Sequence, residues 1–431
     1  MSKKEFKFPD GFLWGASTSA HQVEGENTNT WSEWEKENAG RLAEEAKSYW
    51  QPWQLKKFPE ILNADNYISG SACDHYRLFE EDFRLAKKLG HTATRISIEW
   101  SRIEPREGEF SEEGIAHYQK AISVLRELGI EPFITLWHWP LPLWLGDRGG
   151  WEDEKIVEFF ARYSKKMAEA LGKDVHFWIT INEPEIYSSS SYLDGNWPPQ
   201  KKDKAAYRRV FNNLINAHKK AYFEIKKTNP GAKVGVAKNN IYFENADGRL
   251  RSRLRKMRED QNWNFLFLNR IKKCQDFIGL NHYFHNRIVN GIYRNENKIV
   301  SDLGWEIYPE GIYFVLKDLK KYGKPIYILE NGLADKNDER RGWFIWETLR
   351  NIKRAMNEGV DVKGYLHWSL IDNFEWDKGF WPRFGLIEVD YKTMERKPRH
   401  SAEFYREIIE GNGITKELLK RHSRCCLKEI E

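Results

Sequence analysis

Glu183 lies in the segment WITINEP and Glu330 in YILENG, 147 residues further along the chain. Arg95, Asn182, Asn281, Tyr283 and a series of tryptophans complete a set of groups able to act on a glycosidic bond. In glycoside hydrolysis one carboxyl protonates the leaving oxygen while a second attacks the sugar or activates water. An ordinary glutamic acid, with a pKa of about 4.3, is ionised at neutral pH and cannot donate, so the donor needs a raised pKa. Its partner must stay ionised, which a nearby cation and hydrogen-bond donors favour. Glu330 with Arg95 and Tyr283 fits the ionised role. Glu183, between Asn182 and Pro184, fits the donor. Once Glu330 is covalently neutralised, Glu183 loses a like-charge neighbour, its pKa falls, and it can act as a base.

Such residues need a scaffold. Eight short β-rich runs alternate with amphipathic helical stretches: FLWGAST from Phe12, ATRISIEW from Ala93, PFITLWH from Pro132, HFWITINEP from His176, KVGVAKN from Lys233, DFIGLNHY from Asp276, PIYILENG from Pro325 and GYLHWS from Gly364. Helical periodicity is found from His75 to Gly90 and over 113–128, 153–171, 205–227, 309–322 and 343–357. The pattern predicts a single (β/α)8 TIM barrel spanning 1–431 with enlarged βα loops, the longest over residues 28–71. No GxGxxG follows the first strand, which disfavours a doubly wound sheet. A barrel's active site lies at the C-terminal ends of its strands. Those ends carry Gln22, Arg95, His138-Trp139, Asn182-Glu183, Asn281 with Tyr283, Glu330-Asn331 and Trp368, and Glu375-Trp376 follow in the last loop.

Composition bounds the remainder. The 431 residues are 40% hydrophobic and 31% charged, which excludes disorder and collagen. No run approaches the roughly 18 apolar residues of a membrane span, and no apolar segment follows the basic N-terminus, so a cytoplasmic location without an obligatory membrane is expected. A net charge of +5 gives no reason to expect nucleic acid, and the basic run 249–258 reads as a solvated helix face. Cys73, Cys274, Cys425 and Cys426 read as reduced thiols; a metal site formed by His422 and the cysteine pair would still lack two ligands. With 19 Trp, 19 Tyr and 24 Phe, the chain has rings to spare for stacking on sugar faces. Residues 412–431 read as a C-terminal helical extension packed on the barrel.

The ordered motifs FLWGASTSAHQVEG, RISIEWSRIEP, TLWHWPLPLWL, WITINEP, GLNHYF, GWEIYPEGI, YILENG and HWSLIDNFEW resemble those of the retaining β-glycosidases of glycoside hydrolase family 1 over nearly the whole length. That resemblance implies Glu183 as acid/base and Glu330 as nucleophile, about 5–5.5 Å apart, with Arg95, Asn281 and Tyr283 beside them. It places Gln22, His138, Trp139, Asn182, Glu375 and Trp376 around the non-reducing sugar, with Trp368 as its platform and Trp305 and Phe384 lining the cleft. No cofactor and no metal are implied, and the partner is a small-molecule β-glycoside. Glu375 would repel a phosphate, so a neutral glucoside, galactoside or fucoside is expected, with mannosides left open.

Departures from the family pattern are His282 between Asn281 and Tyr283, the Ser188–Ser191 run, a short chain with trimmed rim loops, and Glu99, read as anchoring its loop by a salt bridge. Two other classes remain open. A sugar-binding protein would give no reason for both glutamates and Arg95. Metal-assisted hydrolysis through His75, His138 and Asp74 lacks a recognisable ligand spacing.

Overall fold

The computed structural model describes residues 5–422. Eight parallel strands close into a barrel: β1 (Leu13–Ser17), β2 (Ala93–Ser97), β3 (Glu131–Trp137), β4 (Phe177–Asn182), β5 (Lys233–Asn239), β6 (Ile278–Asn281), β7 (Ile326–Glu330) and β8 (Val362–Trp368). They pair in chain order, with β8 joining β1. Helices cover the strands on the outside, so each strand is buried on both faces and reads as a nearly unbroken apolar run; every residue of β2 is buried. Gly15 in β1 serves a close approach: a Cβ there would lie 1.7 Å from the Ala93 carbonyl oxygen.

The lower interior of the barrel is packed and dry. Phe133 and Phe177 stack with centroids 4.2 Å apart, and Phe277 and Tyr327 fill the rest of the layer with Ile179, Leu329 and Leu366. Polar chemistry is thereby confined to the upper layer, at the strands' C-terminal ends. Two of those ends are irregular. The β4–β5 register shifts between Ile179 and Asn182, and the β7–β6 register shifts between Ile328 and Glu330. A bulge breaks the strict in–out alternation and re-aims the next side chain, and each of these lies at one of the two glutamates.

The helices expected from periodicity are present, for instance at His75–Lys88, Glu112–Glu127, Ile156–Leu171, Lys204–Thr228 and Arg341–Asn357. The helix expected over 309–322 is shorter, Gly311–Leu319, and ends in a 3-10 turn at Lys320–Tyr322. The enlarged segment over 28–71 is not irregular loop but mostly helix, at Thr30–Tyr49 and Pro52–Lys57 followed by two 3-10 turns. Asn29 caps the long helix by accepting from the Trp31 and Ser32 amides, and Pro52 opens the short one, where its missing N–H costs nothing. The basic run forms the helix Leu250–Glu259, in which Ser252 alone is buried.

An unexpected small sheet, Tyr242–Asn245, His285–Val289 and Ile292–Tyr293, extends the loops after β5 and β6. Among its described residues, the C-terminal extension is helical at Lys416–Arg421. Before that helix, Gly413–Ile414 forms a strand against Phe6–Lys7. Residues 423–431, with Cys425 and Cys426, lie outside the described residues; Cys73 and Cys274 are free thiols. Among the described residues no helix is long and apolar enough to cross a membrane.

Candidate active site

The upper layer begins with a buried cation. Arg95 points inward from β2 and is completely inaccessible. Its Nε donates to Thr135 Oγ1 at 2.8 Å, one terminal nitrogen donates to Asn182 Oδ1 at 2.7 Å, and the other bonds Glu330 Oε1. Tyr283, just past β6, donates its hydroxyl to the second Glu330 oxygen at 2.9 Å. Both oxygens of this carboxyl are therefore held by donors suited to a charged group.

Glu183 is held differently. Its Oε1 accepts from Asn281 Nδ2 at 2.8 Å and from Asn239 Nδ2 at 3.1 Å, both neutral amides. Glu183 itself adopts a left-handed backbone conformation (φ 43°, ψ 62°), uncommon for a residue with a side chain, and Trp139 (φ 88°) and Trp376 (φ 49°) share that property. Such strain persists where the surroundings over-determine it, typically at ligand-facing positions. All three residues line one cavity.

Burial pushes the Glu183 carboxyl up to about 8, with the Glu330 charge adding to the effect. Glu330 is also raised by burial, but Arg95 and the Tyr283 hydroxyl oppose the shift. The guanidinium bonds Glu330 and not Glu183, so the shared negative charge resides on Glu330. Burial pushes Glu375 up to about 8 as well, helped by Asp377 and Glu330. His138 is driven well below its ordinary value by burial and by Arg95, so its ring is neutral and Nε2 accepts from Asn182 Nδ2 at 2.9 Å.

Gln22 is fixed from two sides: Ser19 Oγ donates to its Oε1 at 2.6 Å, and its amide donates to the Phe374 carbonyl at 2.8 Å. Trp376 stacks on His138 at 5.9 Å and is backed by His21 at 5.5 Å. Trp368 and Phe384 belong to one apolar cluster, which Trp305 and Tyr283 edge.

Of the fourteen residues singled out from sequence, eleven line this one cavity: Gln22, His138, Trp139, Glu183, Tyr283, Trp305, Glu330, Trp368, Glu375, Trp376 and Phe384. Arg95, Asn182 and Asn281 stand behind its wall: Arg95 and Asn281 bond the carboxyls, and Asn182 holds Arg95 and His138. Asn239 is a site residue the strand-end reading passed over, although it closes β5 as Asn281 closes β6. Ile186 and Ser190, on the helix Pro184–Tyr192, also reach the cavity, as do Asn196, Trp197, Phe284, Asp377 and Lys378 from connecting segments whose path no local pattern reveals.

Asn331 braces rather than lines, donating to the His282 carbonyl at 2.6 Å. His282 points away from Tyr283, toward the Asn240 carbonyl, as strand alternation implied. Glu99 anchors its loop by capping the helix Trp100–Ile103, accepting from Ser101 Oγ at 2.7 Å, rather than by a salt bridge. His75, His138 and Asp74 are not brought together: His75 pairs with Asp82 at 2.7 Å, away from the cavity.

A model of glycosyl hydrolase family 1 matches residues 4–270 and 248–414. A 1,4-beta-D-glucan glucohydrolase from Thermotoga neapolitana is 35% identical, over 95% of this chain and 99% of the relative. Among solved structures, a beta-glycosidase from Pyrococcus horikoshii is similar at a TM-score of 0.85 and 37% identity, covering 97% of this chain and 98% of that one. A beta-glucosidase from Thermotoga maritima in complex with glucoimidazole is similar at a TM-score of 0.82 and 32% identity, covering 95% of this chain and all of its own. With two buried glutamates at the ends of β4 and β7, and family likeness along nearly its full length, the chain belongs to glycosyl hydrolase family 1 and is a glycoside hydrolase.

Proposed function

We propose that this enzyme is a retaining, exo-acting β-glycosidase that removes terminal non-reducing, neutral β-D-glycosyl residues. The observation that carries the reading is the unequal bonding of the two glutamates: Arg95 and Tyr283 on Glu330, two amides on Glu183. Glu330 attacks the anomeric carbon as Glu183 gives its proton to the departing glycosidic oxygen, leaving a glycosyl ester on Glu330. The ester removes one negative charge, so Glu183 ionises more readily and takes a proton from the incoming water. That water attacks the same carbon, releases Glu330 and restores the original configuration. An alcohol in place of water gives transglycosylation.

Gln22, His138 and Glu375 are proposed to hold the sugar's hydroxyls, with Asn182 orienting His138 from behind, Trp368 and Trp376 against the sugar's faces, and Trp305 and Phe384 toward the aglycone. A neutral glycone suits the far end of the cavity. Lys378, the cation there, is already paired with Asp377 at 2.6 Å, so a phosphate would meet no free charge. The names of the Thermotoga relatives favour a glucoside, with galactosides and fucosides close behind.

The test is Glu330→Gly. Turnover of nitrophenyl β-glucoside should fall by about four orders of magnitude or more. Added azide should restore release of the phenol and yield the α-glycosyl azide. A variant that azide cannot rescue, or that gives a β-azide, would overturn the nucleophile assignment.

A further inference from the structure

Two residues beyond Glu183 lies Glu185, and one residue before Asn239 lies Lys238. Both side chains are sealed from solvent, at 1% and 0% exposure, and Lys238 Nζ stands 3.2 Å from Glu185 Oε2. Lys238 also donates to the Asn239 carbonyl at 2.5 Å. The pair thus joins the end of β5, which carries an amide partner of Glu183, to the first turn of the helix Pro184–Tyr192, which starts immediately after Glu183. A buried ion pair of this kind is weak evidence for stability, since desolvating two charges offsets most of their attraction. It earns attention by its place beside an acid whose proton decides the reaction.

We infer that Glu185 is a positioning residue whose charge cancels that of Lys238, so that Glu183 keeps its proton while Asn239 stays aligned with it. This rests on Glu183 being the acid/base. The other charged or titratable groups facing Glu183 are Glu330 on β7, Arg95 on β2, Tyr283 after β6 and Glu375 in the last loop, and Arg95 is already bonded to Glu330. Lys238 is therefore the cation whose balance can be altered without replacing any of those groups, and the Glu183 charge is among those that favour its charged form. With Glu185 neutral, Lys238 would favour ionised Glu183 and the acid would be lost at lower pH. With Lys238 neutral and Glu185 retained, the neighbouring carboxyl would hold the Glu183 proton more firmly.

The two substitutions should thus act in opposite senses. Glu185→Gln should move the basic limb of the kcat/KM profile on an alkyl β-glucoside down by roughly half to one pH unit. Lys238→Met should move the limb up, and the double variant should return it close to wild type. A pair that only braces the fold would lower kcat or thermal stability in both single variants while the limb stays put; that result would overturn the proposal, and so would shifts of the same sign. Should Glu185→Gln not fold, a downward shift in Lys238→Met suffices to overturn it and an upward shift supports it. Glu183→Gln, assayed with a dinitrophenyl glycoside, separates the two failures. If the basic limb persists there, the acid assignment itself falls; if it vanishes there yet is unmoved in Glu185→Gln, only the pair's role falls.

Discussion

In the proposed mechanism a carboxyl gives up a proton and then takes one back, which needs an affinity near the working pH, and at Glu183 burial and the Glu330 charge raise it toward that range. The consequence is selective. Poor leaving groups depend on protonation and good ones do not, so Glu183→Ala should lower kcat/KM for an alkyl β-glucoside by about 10³-fold while a dinitrophenyl glycoside loses far less at the glycosylation step. Equal losses on the two substrates, measured under the same conditions, would contradict the acid role. The glutamates, Arg95 and Tyr283 were legible in sequence because their chemistry is rare and they stand in or just beyond apolar strands. Asn239 was not, because an asparagine ending a strand is also what an ordinary turn looks like, and only its bond to Glu183 distinguishes it.

Elements decide whether these side chains meet. The eight strands could be read from sequence because burial on both faces imposes continuous apolar runs, whereas the bulges at Asn182 and Glu330 leave no mark in composition. The helix Thr30–Tyr49 escaped detection for a related reason: its buried face mixes Trp31, Trp34 and three alanines with Ser32, Glu35 and Asn38, so its apolar stripe is interrupted. Glu35, buried in that helix, bonds His21 Nε2 at 2.8 Å and accepts from the Ser69 amide and hydroxyl at 2.8 and 2.7 Å. His21 in turn backs Trp376 in the wall of the cavity. Glu35→Ala should strand these partners and cost about 2–3 kcal/mol of stability. Because Trp376 loses its support, KM should rise several-fold with kcat less affected. A lowered Tm with an unchanged KM would show that the helix braces the fold without shaping the site.

At the scale of the whole molecule, two sets of buried carboxyls have opposite effects on stability. Asp372 lies between Arg399 and Arg383, and Asp82 between His75 and Arg396. These contacts tie the hairpin Ile387–Val389/Arg396–Pro398 to the loop after β8 and to the helix His75–Lys88. Burial works against the charge at both aspartates, but their basic partners prevail and hold both below the ordinary carboxylate range. Their stabilisation is present above the unfolded-state pKa and is lost as pH falls through the lower folded values. Glu183 and Glu375 do the reverse. Each folded carboxyl titrates near 8 against an ordinary 4.5, so between those values the native state keeps protons that the unfolded chain has released. Stability from this source is complete below the ordinary value and declines as pH rises toward 8. The enzyme should therefore unfold at its highest temperature in mildly acidic solution and lose stability toward pH 8.5, where its cavity must hold additional charge. Glu375→Gln removes one of those groups. Its Tm should exceed wild type by roughly 1 °C at pH 8.5, equivalent to about 1 kcal/mol for a chain of this size, and match it closely at pH 5. A calorimetric series over that range checks the sign: equal gains at both pH values would mean that the amide merely packs better, and a loss at pH 8.5 would mean that Glu375 is charged and stabilising in the folded enzyme.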